Sequence, residues 1–218
     1  MSFRPPDVRH LPLPVVLEDE RFVVVNKPSG LLSVPAKDPS VTDHVRARVL
    51  ALYPHASGPM SVHRLDMETS GLLVLALDRE AHRELSIQFQ ERRVKKTYRA
   101  LLERPPSSVE GVVELPLRLD PDRRPYQVVD RTQGRNAKTR YRLLDPDAAR
   151  VELRPLTGRT HQLRVHCASP EGLASPIRGD RLYGDVDTAP RLMLHARRLV
   201  FEHPTTFARI DVEAPEPF

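Results

Sequence analysis

Residues 61–78 read SVHRLDMETSGLLVLALD and carry the strongest fold signal in the chain. The apolar run at 72–77 is typical of a buried strand. Two opposite charges, Arg64 and Asp66, stand before it, and the small residues 69–71 indicate a tight turn in between. A carboxylate at the end of a buried strand must be paired or neutralised. Asp66 is therefore either a structural turn residue or part of a site.

The segments on either side predict an α+β fold. Short strands are expected at 15–17 and 22–25, and longer alternating runs follow from residue 94 onward. Ser40 and Asp43 resemble a capping box before a helix, and residues 79–93 have the spacing of a second helix. A third helix is expected to begin near Thr157 or Thr160. Short loops between successive strands favour a mainly antiparallel, mixed sheet with flanking helices over a doubly wound parallel sheet.

Composition limits the class of protein. The chain has 218 residues, a formal charge of +5 and one cysteine, which excludes an intrachain disulfide framework. We expect an extended segment at 1–14 and a single domain at 15–218. No apolar run resembles a signal peptide or a membrane span, so a cytoplasmic protein without a membrane partner is expected. The basic charge favours a polyanionic partner.

Two further stretches carry residues suited to chemistry. Residues 95–100, KKTYRA, place Tyr98 on a strand beside two lysines, and residues 157–166 place His161 and Arg164 about one helical turn apart. Taken singly, Tyr98 is an ordinary strand aromatic and Arg164 a solvated helix residue. Zinc ligation by His161, His166 and Cys167 is disfavoured, because neither a carboxylate nor a CxxC pair accompanies them.

The order of the motifs is more specific than any one of them. NKPSGLLSVP at 26–35, HRLDxxTSG at 63–71, KKxY at 95–98, GRTHQLRVH at 158–166, GDxxYG at 179–184 and LHA at 194–196 together resemble the RluA family of pseudouridine synthases. The resemblance extends from about residue 15 to 213. One departure is Ser175, which stands where the family often has histidine.

The resemblance implies a single catalytic domain with a central RNA-binding cleft and no S4 domain. It also implies that uridine is isomerised to pseudouridine without a cofactor or metal. Asp66 matches the catalytic aspartate, Arg164 its basic partner and Tyr98 the active-site tyrosine. Arg64 matches the residue that fills the space of the flipped base, while Leu163 would form an apolar wall and His63 would hold the loop. The candidates for phosphate contacts are Lys95, Lys96, Arg159 and Arg178.

The implied partners are RNA stem-loops, and the protein is expected to act as a monomer. Members most like this chain modify uridine 32 in the tRNA anticodon stem-loop and a 23S rRNA stem-loop uridine of the position 746 type. A synthase with another target and a catalytically inert RNA-binding relative are the alternatives. A different enzyme acting at C1′ would normally need two carboxylates, and the best second one, Asp180, is interpreted as structural.

Overall fold

The computed structural model describes residues 7–218, which form two compact units. The first unit comprises the chain up to Lys95 together with Ala196–Pro217, and the second comprises Lys96–His195 with Phe218. The strands are β1 (Val15–Glu18), β2 (Phe22–Lys27), β3 (Ser70–Ala76), β4 (Lys95–Leu101), β5 (Glu110–Glu114), β6 (Leu117–Leu119), β7 (Gln127–Val129), β8 (Lys138–Asp145), β9 (Arg150–Pro155), β10 (Leu194–Glu202) and β11 (Arg209–Glu213). The helices are α1 (Val45–Leu52), α2 (Arg79–Gln90) and α3 (Gln162–Ala168), with a 3₁₀ turn at Val186–Thr188.

The first unit is built around β3. Its neighbours follow the order β1, β2, β3, β10, and β11 lies beside β10. Strand β2 is antiparallel to both β1 and β3. All seven residues of β3 are buried, as the apolar run predicts. On one face Leu72, Val74 and Ala76 share an apolar cluster with Ala81 and Leu85 of α2, which fixes this helix against the sheet.

The ends of α1 and α2 depend on different caps. Asp78 caps α2 by accepting from the N–H groups of Glu80 and Ala81, and the predicted second helix is confirmed. The predicted capping box before α1 is wrong. The helix begins at Val45, and His44 is its cap, because its Nδ1 accepts the Ala47 N–H at 3.0 Å.

The segment before β1 is tied to α1 through one arginine. Arg48 pairs with Asp43 at 2.7 Å and donates to the carbonyls of Val8 and Leu11. Residues 7–14 contain a turn at 9–10, and Val8 is buried. The part of the predicted extended segment that precedes residue 7 lies outside the described residues.

The second unit contains the strand order β4, β9, β8, β5 and the hairpin β6–β7. The strands are antiparallel at every one of these pairings. Its core joins Ala100 and Leu153 of the sheet to Leu163 and Cys167 of α3. The mainly antiparallel α+β fold expected from the sequence is confirmed.

Helix α3 begins later than its sequence suggests. The Gln162 side chain accepts from Thr157 Oγ1 at 2.7 Å and from the Arg159 N–H at 3.0 Å, which folds the preceding residues into a turn. His161 has a left-handed backbone, with φ of 52°, so the helix starts at Gln162. No helix within residues 7–218 has the length and apolar character needed to cross a membrane.

Candidate active site

The loop that carries Asp66 is fastened to the segment 27–33 in the first unit. Lys27 is fully buried, and its ammonium donates to the carbonyls of Pro28, Leu31 and Met67 at 2.8–3.0 Å. The Ser33 hydroxyl donates to the Leu65 carbonyl at 2.8 Å and accepts the Leu65 N–H at 3.1 Å. The residues on both sides of Asp66 are therefore held by buried hydrogen bonds, which fix the backbone that presents the carboxylate.

Two more contacts complete this fastening. The Ser29 hydroxyl donates to the Glu68 carbonyl at 2.7 Å, and the Gly30 N–H donates to the Met67 carbonyl at 2.9 Å. Inside the loop, the Thr69 N–H donates to the Asp66 carbonyl at 3.1 Å and closes the turn before β3. The NKPSGLLSVP motif is thus the structural support of the HRLD motif.

Burial sets the protonation of Lys27. Desolvation lowers its pKa to about 7, and the negative charges of Asp66 and Glu68 oppose this effect. Each carboxylate therefore stabilises the ammonium form, which has three protons to donate to three carbonyls.

His63 is a structural anchor of the same loop. Its Nε2 accepts the Val74 N–H at 3.1 Å, so this ring nitrogen carries no proton. Its ring stacks on Phe89 of α2, with centroids 4.4 Å apart and planes 18° apart. These contacts tie His63 to β3 and to α2.

Exposure alternates along the loop. Arg64 is exposed, Leu65 is buried, and Asp66 is half-buried. Gly71 has φ of 115°, and a Cβ there would overlap the backbone of Ala196 in β10. Only glycine permits this close approach at the start of β3.

In the second unit, Arg164 lies in a buried ion pair on α3. Its Nε and Nη2 donate to the two carboxylate oxygens of Asp180 at 2.8 and 2.5 Å. The side chain of Arg164 is 2% exposed and that of Asp180 is fully buried. Asp180 also accepts the N–H groups of Leu182 and Tyr183, so the carboxylate itself is rigidly held.

Tyr183 links this ion pair to the hairpin. Its ring lies 5.3 Å from the Arg164 guanidinium carbon. Its hydroxyl accepts the Gln127 N–H at 2.8 Å and lies 2.8 Å from Nδ1 of His161.

The predicted catalytic Tyr98 and the predicted substrate-binding Leu163 lie on the core side of this unit. Tyr98 is half-buried on β4, opposite Leu153 of β9, and packs against the apolar cluster that contains Leu163. Leu163 is only 7% exposed, which fits an apolar wall. His63, Arg64 and Asp66 belong to the first unit, whereas Tyr98, Leu163 and Arg164 belong to the second.

The four predicted phosphate contacts have different surroundings. Lys95 is exposed, and Lys96 is half-buried with its Nζ beside Gly158. Arg159 donates to the Asn136 carbonyl at 3.2 Å. Arg178 donates to the carbonyls of Leu102 and Ala148 at 2.8 and 3.3 Å, so much of its guanidinium serves the unit's own backbone.

Sequence reasoning missed several residues that shape the site. Lys27 and Ser33 were part of a quoted motif but had no role assigned to them. Asp180 was interpreted as structural, but its ion pair with Arg164 was not predicted. Ser175, the departure from the family pattern, is buried and bonds both backbone groups of Arg104. It therefore joins two segments of the second unit.

Comparison with known proteins identifies the class of enzyme. Residues 21–169 match the family described as RNA pseudouridylate synthase, a span that includes Asp66, Tyr98 and Arg164. The chain belongs to this family. It is an RNA pseudouridine synthase, and RNA is its partner.

Relatives and solved structures support the same assignment. The Dual-specificity RNA pseudouridine synthase RluA of Escherichia coli strain CFT073 is 46% identical over 94% of each chain. The protein of that name from Pasteurella multocida is 42% identical over 100% of this chain and 99% of its own. The structure of Human RNA Pseudouridylate Synthase Domain Containing 1 has a TM-score of 0.78 at 32% identity, covering 99% of this chain and 87% of that one.

Proposed function

We propose that the enzyme has two RNA substrates and converts uridine 32 of the tRNA anticodon stem-loop and a 23S rRNA loop uridine to pseudouridine. The support is the dual-specificity name of relatives that are 42–46% identical over nearly the whole chain. Single-stranded loops with splayed bases are the usual targets of sequence-specific RNA recognition. The protein acts as a monomer in the cytoplasm.

Asp66 is the catalytic carboxylate in this proposal. The reaction breaks the N1–C1′ bond, turns the uracil and forms a C5–C1′ bond, after which the proton of C5 is lost and N1 carries one. The observation that carries the assignment is the fastening of the Asp66 loop by Lys27 and Ser33. Such a fixed backbone holds a reactive group in one geometry, which is a major source of catalytic rate.

Arg164 is the basic partner of the catalytic carboxylate in this proposal. An opposite charge within about 4–6 Å favours the charged form of a carboxylate. The bidentate grip of Asp180 on Nε and Nη2 supports this role, because it orients the guanidinium before substrate arrives. Arginine suits the task better than lysine, since its planar group binds carboxylates at two points and stays protonated.

Tyr98 and Arg64 handle the flipped nucleotide. A base must leave its stack before an enzyme can reach C1′, and this step costs a few kcal/mol. The exposed Arg64 fills the vacated space, because a guanidinium plane can stack between bases. Tyr98 stacks on the uracil, a contact worth about 1–3 kcal/mol, with Leu163 as an apolar wall.

The phosphates around the target nucleotide are contacted by exposed or half-buried basic residues. Lys95, Lys96 and Arg159 fit this role best. Arg178 is a weaker candidate because of its two backbone hydrogen bonds.

The test of the catalytic assignment is Asp66→Asn. This variant should bind a substrate stem-loop with near wild-type affinity but form no pseudouridine, as measured by tritium release from C5-labelled RNA. Asp147→Asn, at an exposed position in the second unit, is the matched control and should retain full activity. Turnover by Asp66→Asn at the level of this control would refute the role.

The target assignment is tested separately. Pseudouridines are mapped in tRNA and 23S rRNA from cells with and without the gene. Loss at tRNA position 32 together with one 23S loop site is expected. Loss of a single site in only one of the two RNAs would contradict dual specificity while leaving the chemistry intact.

A further inference from the structure

The sheet of the second unit has a face that the catalytic proposal does not use. Side chains of a strand alternate between its two faces. Tyr98, Thr139, Tyr141, Val151 and Leu153 occupy the side of the apolar core or the buried network around α3. The residues between them therefore lie on the opposite, outer face, which we call the arginine face: Arg99, Glu110, Val112, Arg140, Arg142, Glu152 and Arg154.

One buried carboxylate, that of Glu152, forms ion pairs with three of the four arginines of the arginine face. Across the strands, Arg99, Glu152, Arg142 and Glu110 form a row of directly opposed residues. Glu152 is bound by Arg99, by Arg154 at 2.6 Å and by Arg142 at 3.8 Å. Three guanidinium groups thus share a single carboxylate, which can neutralise only one of them.

The neighbouring row carries positive charge without any acid. Arg140 stands directly opposite Arg154 on one side and Val112 on the other. Arg140 is exposed, and within residues 7–218 no carboxylate lies within ion-pair distance of it. Like charges directly opposed across a sheet are destabilising. The arginine face therefore holds four arginines against two carboxylates, and Arg140 is the arginine of this face that no carboxylate pairs with among the described residues.

This excess charge borders a cavity. A depression of about 400 Å³ is lined by three arginines, Arg140, Arg142 and Arg154, and by the two carboxylates Glu110 and Glu152, with Gly111, Val112 and Tyr141 completing the wall. Gly111 forms part of its lining, and a Cβ there would come within 2.9 Å of the Tyr141 ring. The volume is sufficient for a phosphodiester group with its sugar, and arginine binds phosphate oxygens at two points.

We propose that the arginine face binds phosphates of the substrate RNA that lie outside the loop being modified. This inference rests on the proposed function, in which the substrates are RNA. It adds a second area of the protein surface that contacts the substrate. Tyr98 and Leu163 lie on the core side of the sheet, so within the second unit this area is separate from the two residues proposed to contact the uracil. It provides affinity for a full-length RNA that an isolated stem-loop does not receive.

The alternative explanation is an ion-pair ladder that merely stabilises the sheet. The two explanations differ in what Arg140→Gln does to the protein. If Arg140 belongs to a stabilising ladder, removing its charge should lower the melting temperature. If Arg140 instead serves to bind RNA, its substitution should leave the melting temperature unchanged or raise it, because the repulsion between Arg140 and Arg154 is lost.

The experiment compares Arg140→Gln and the double variant Arg140→Gln/Arg154→Gln with Arg83→Gln. Arg83 is exposed on α2 of the first unit and undergoes the same charge change. Affinities are measured for a full-length tRNA transcript and for its isolated anticodon stem-loop at several salt concentrations. Each arginine removed should weaken binding of the full-length tRNA about threefold to tenfold. It should also reduce the steepness of the salt dependence by about one.

The stem-loop provides the second readout. Its affinity and its rate of pseudouridine formation should remain at the level of Arg83→Gln. Equal weakening for the full-length tRNA and the stem-loop, or no weakening beyond Arg83→Gln, would overturn the proposal. A fall in melting temperature with unchanged RNA affinity would favour the ladder. In each of these cases pseudouridine formation in the stem-loop still tests the catalytic proposal separately.

Discussion

At the scale of single residues, the candidate site depends on side chains that touch backbone atoms. Lys27, Ser33 and His63 bond the chain on either side of Asp66 or the strand that follows it. None of them supplies the reactive carboxylate. Their effect is to restrict the loop, so changes at these positions should reduce the rate of catalysis more than RNA binding.

Lys27→Met is expected to weaken catalysis and to alter the pH dependence of stability. Burial lowers the pKa of Lys27 in the folded protein to about 7, below its ordinary value of 10.5. Between these values the unfolded chain binds the extra proton, so the stability of the wild type should rise with pH. The variant lacks this group, and its free energy of unfolding should miss that rise.

Urea unfolding of both proteins from about pH 7 to pH 10 measures the effect. The difference in the free energy of unfolding, wild type minus variant, should increase across this window. A constant difference would show that Lys27 titrates as it does in the unfolded chain.

His63→Gln and His63→Leu separate the hydrogen bond of His63 from its bulk. The amide oxygen of glutamine can replace Nε2 as the acceptor for the Val74 N–H, whereas leucine cannot. We expect kcat to fall about tenfold or more in His63→Leu because a misplaced loop loses catalytic geometry. KM should change little, and His63→Gln should recover much of the rate. Equal losses in the two variants would exclude the acceptor role.

At the scale of elements, the periodic segments were predictable and their ends were not. The spacing of apolar residues indicated both β3 and α2. The predicted start of α1 was wrong because its cap is His44, a residue type with no strong capping preference. The His44 ring accepts the Ala47 N–H. The start of α3 was predicted too early, since the Gln162 side chain folds residues 157–161 into a turn.

Gly71→Ala tests the packing of β3 against β10. A methyl group would overlap the Ala196 backbone, and the backbone angle disfavours any side chain. The combined strain should lower the free energy of unfolding by about 2–5 kcal/mol. Chemical denaturation measures this loss. Gly158→Ala is the control, because its Cβ would approach only Lys96 Nζ at 3.8 Å, and its stability should stay within about 1 kcal/mol of the wild type.

At the scale of the whole molecule, charge governs the encounter with RNA. The chain has 34 basic and 29 acidic residues, and its net charge is +5. Binding of basic residues to phosphates releases counterions, so RNA affinity should fall steeply with salt, with a slope of about −0.7 to −0.9 per phosphate contact on logarithmic axes. Filter binding of a substrate stem-loop between about 50 and 200 mM salt measures this slope. A flat response would exclude an electrostatic interface.

The sequence by itself determined the class of fold and the reaction, and it led to the proposal that Asp66 is the reactive carboxylate. These follow from local periodicity and from motifs whose spacing is written in the chain, such as HRLDxxTSG and the apolar run after it. Only the tertiary structure decided which residues form hydrogen bonds and ion pairs with one another. Lys27 reaches Met67 across 40 positions, and Arg164 meets Asp180 across 16. Folding brings distant residues together to satisfy buried charges and carbonyls, and local pattern carries no record of which groups will meet.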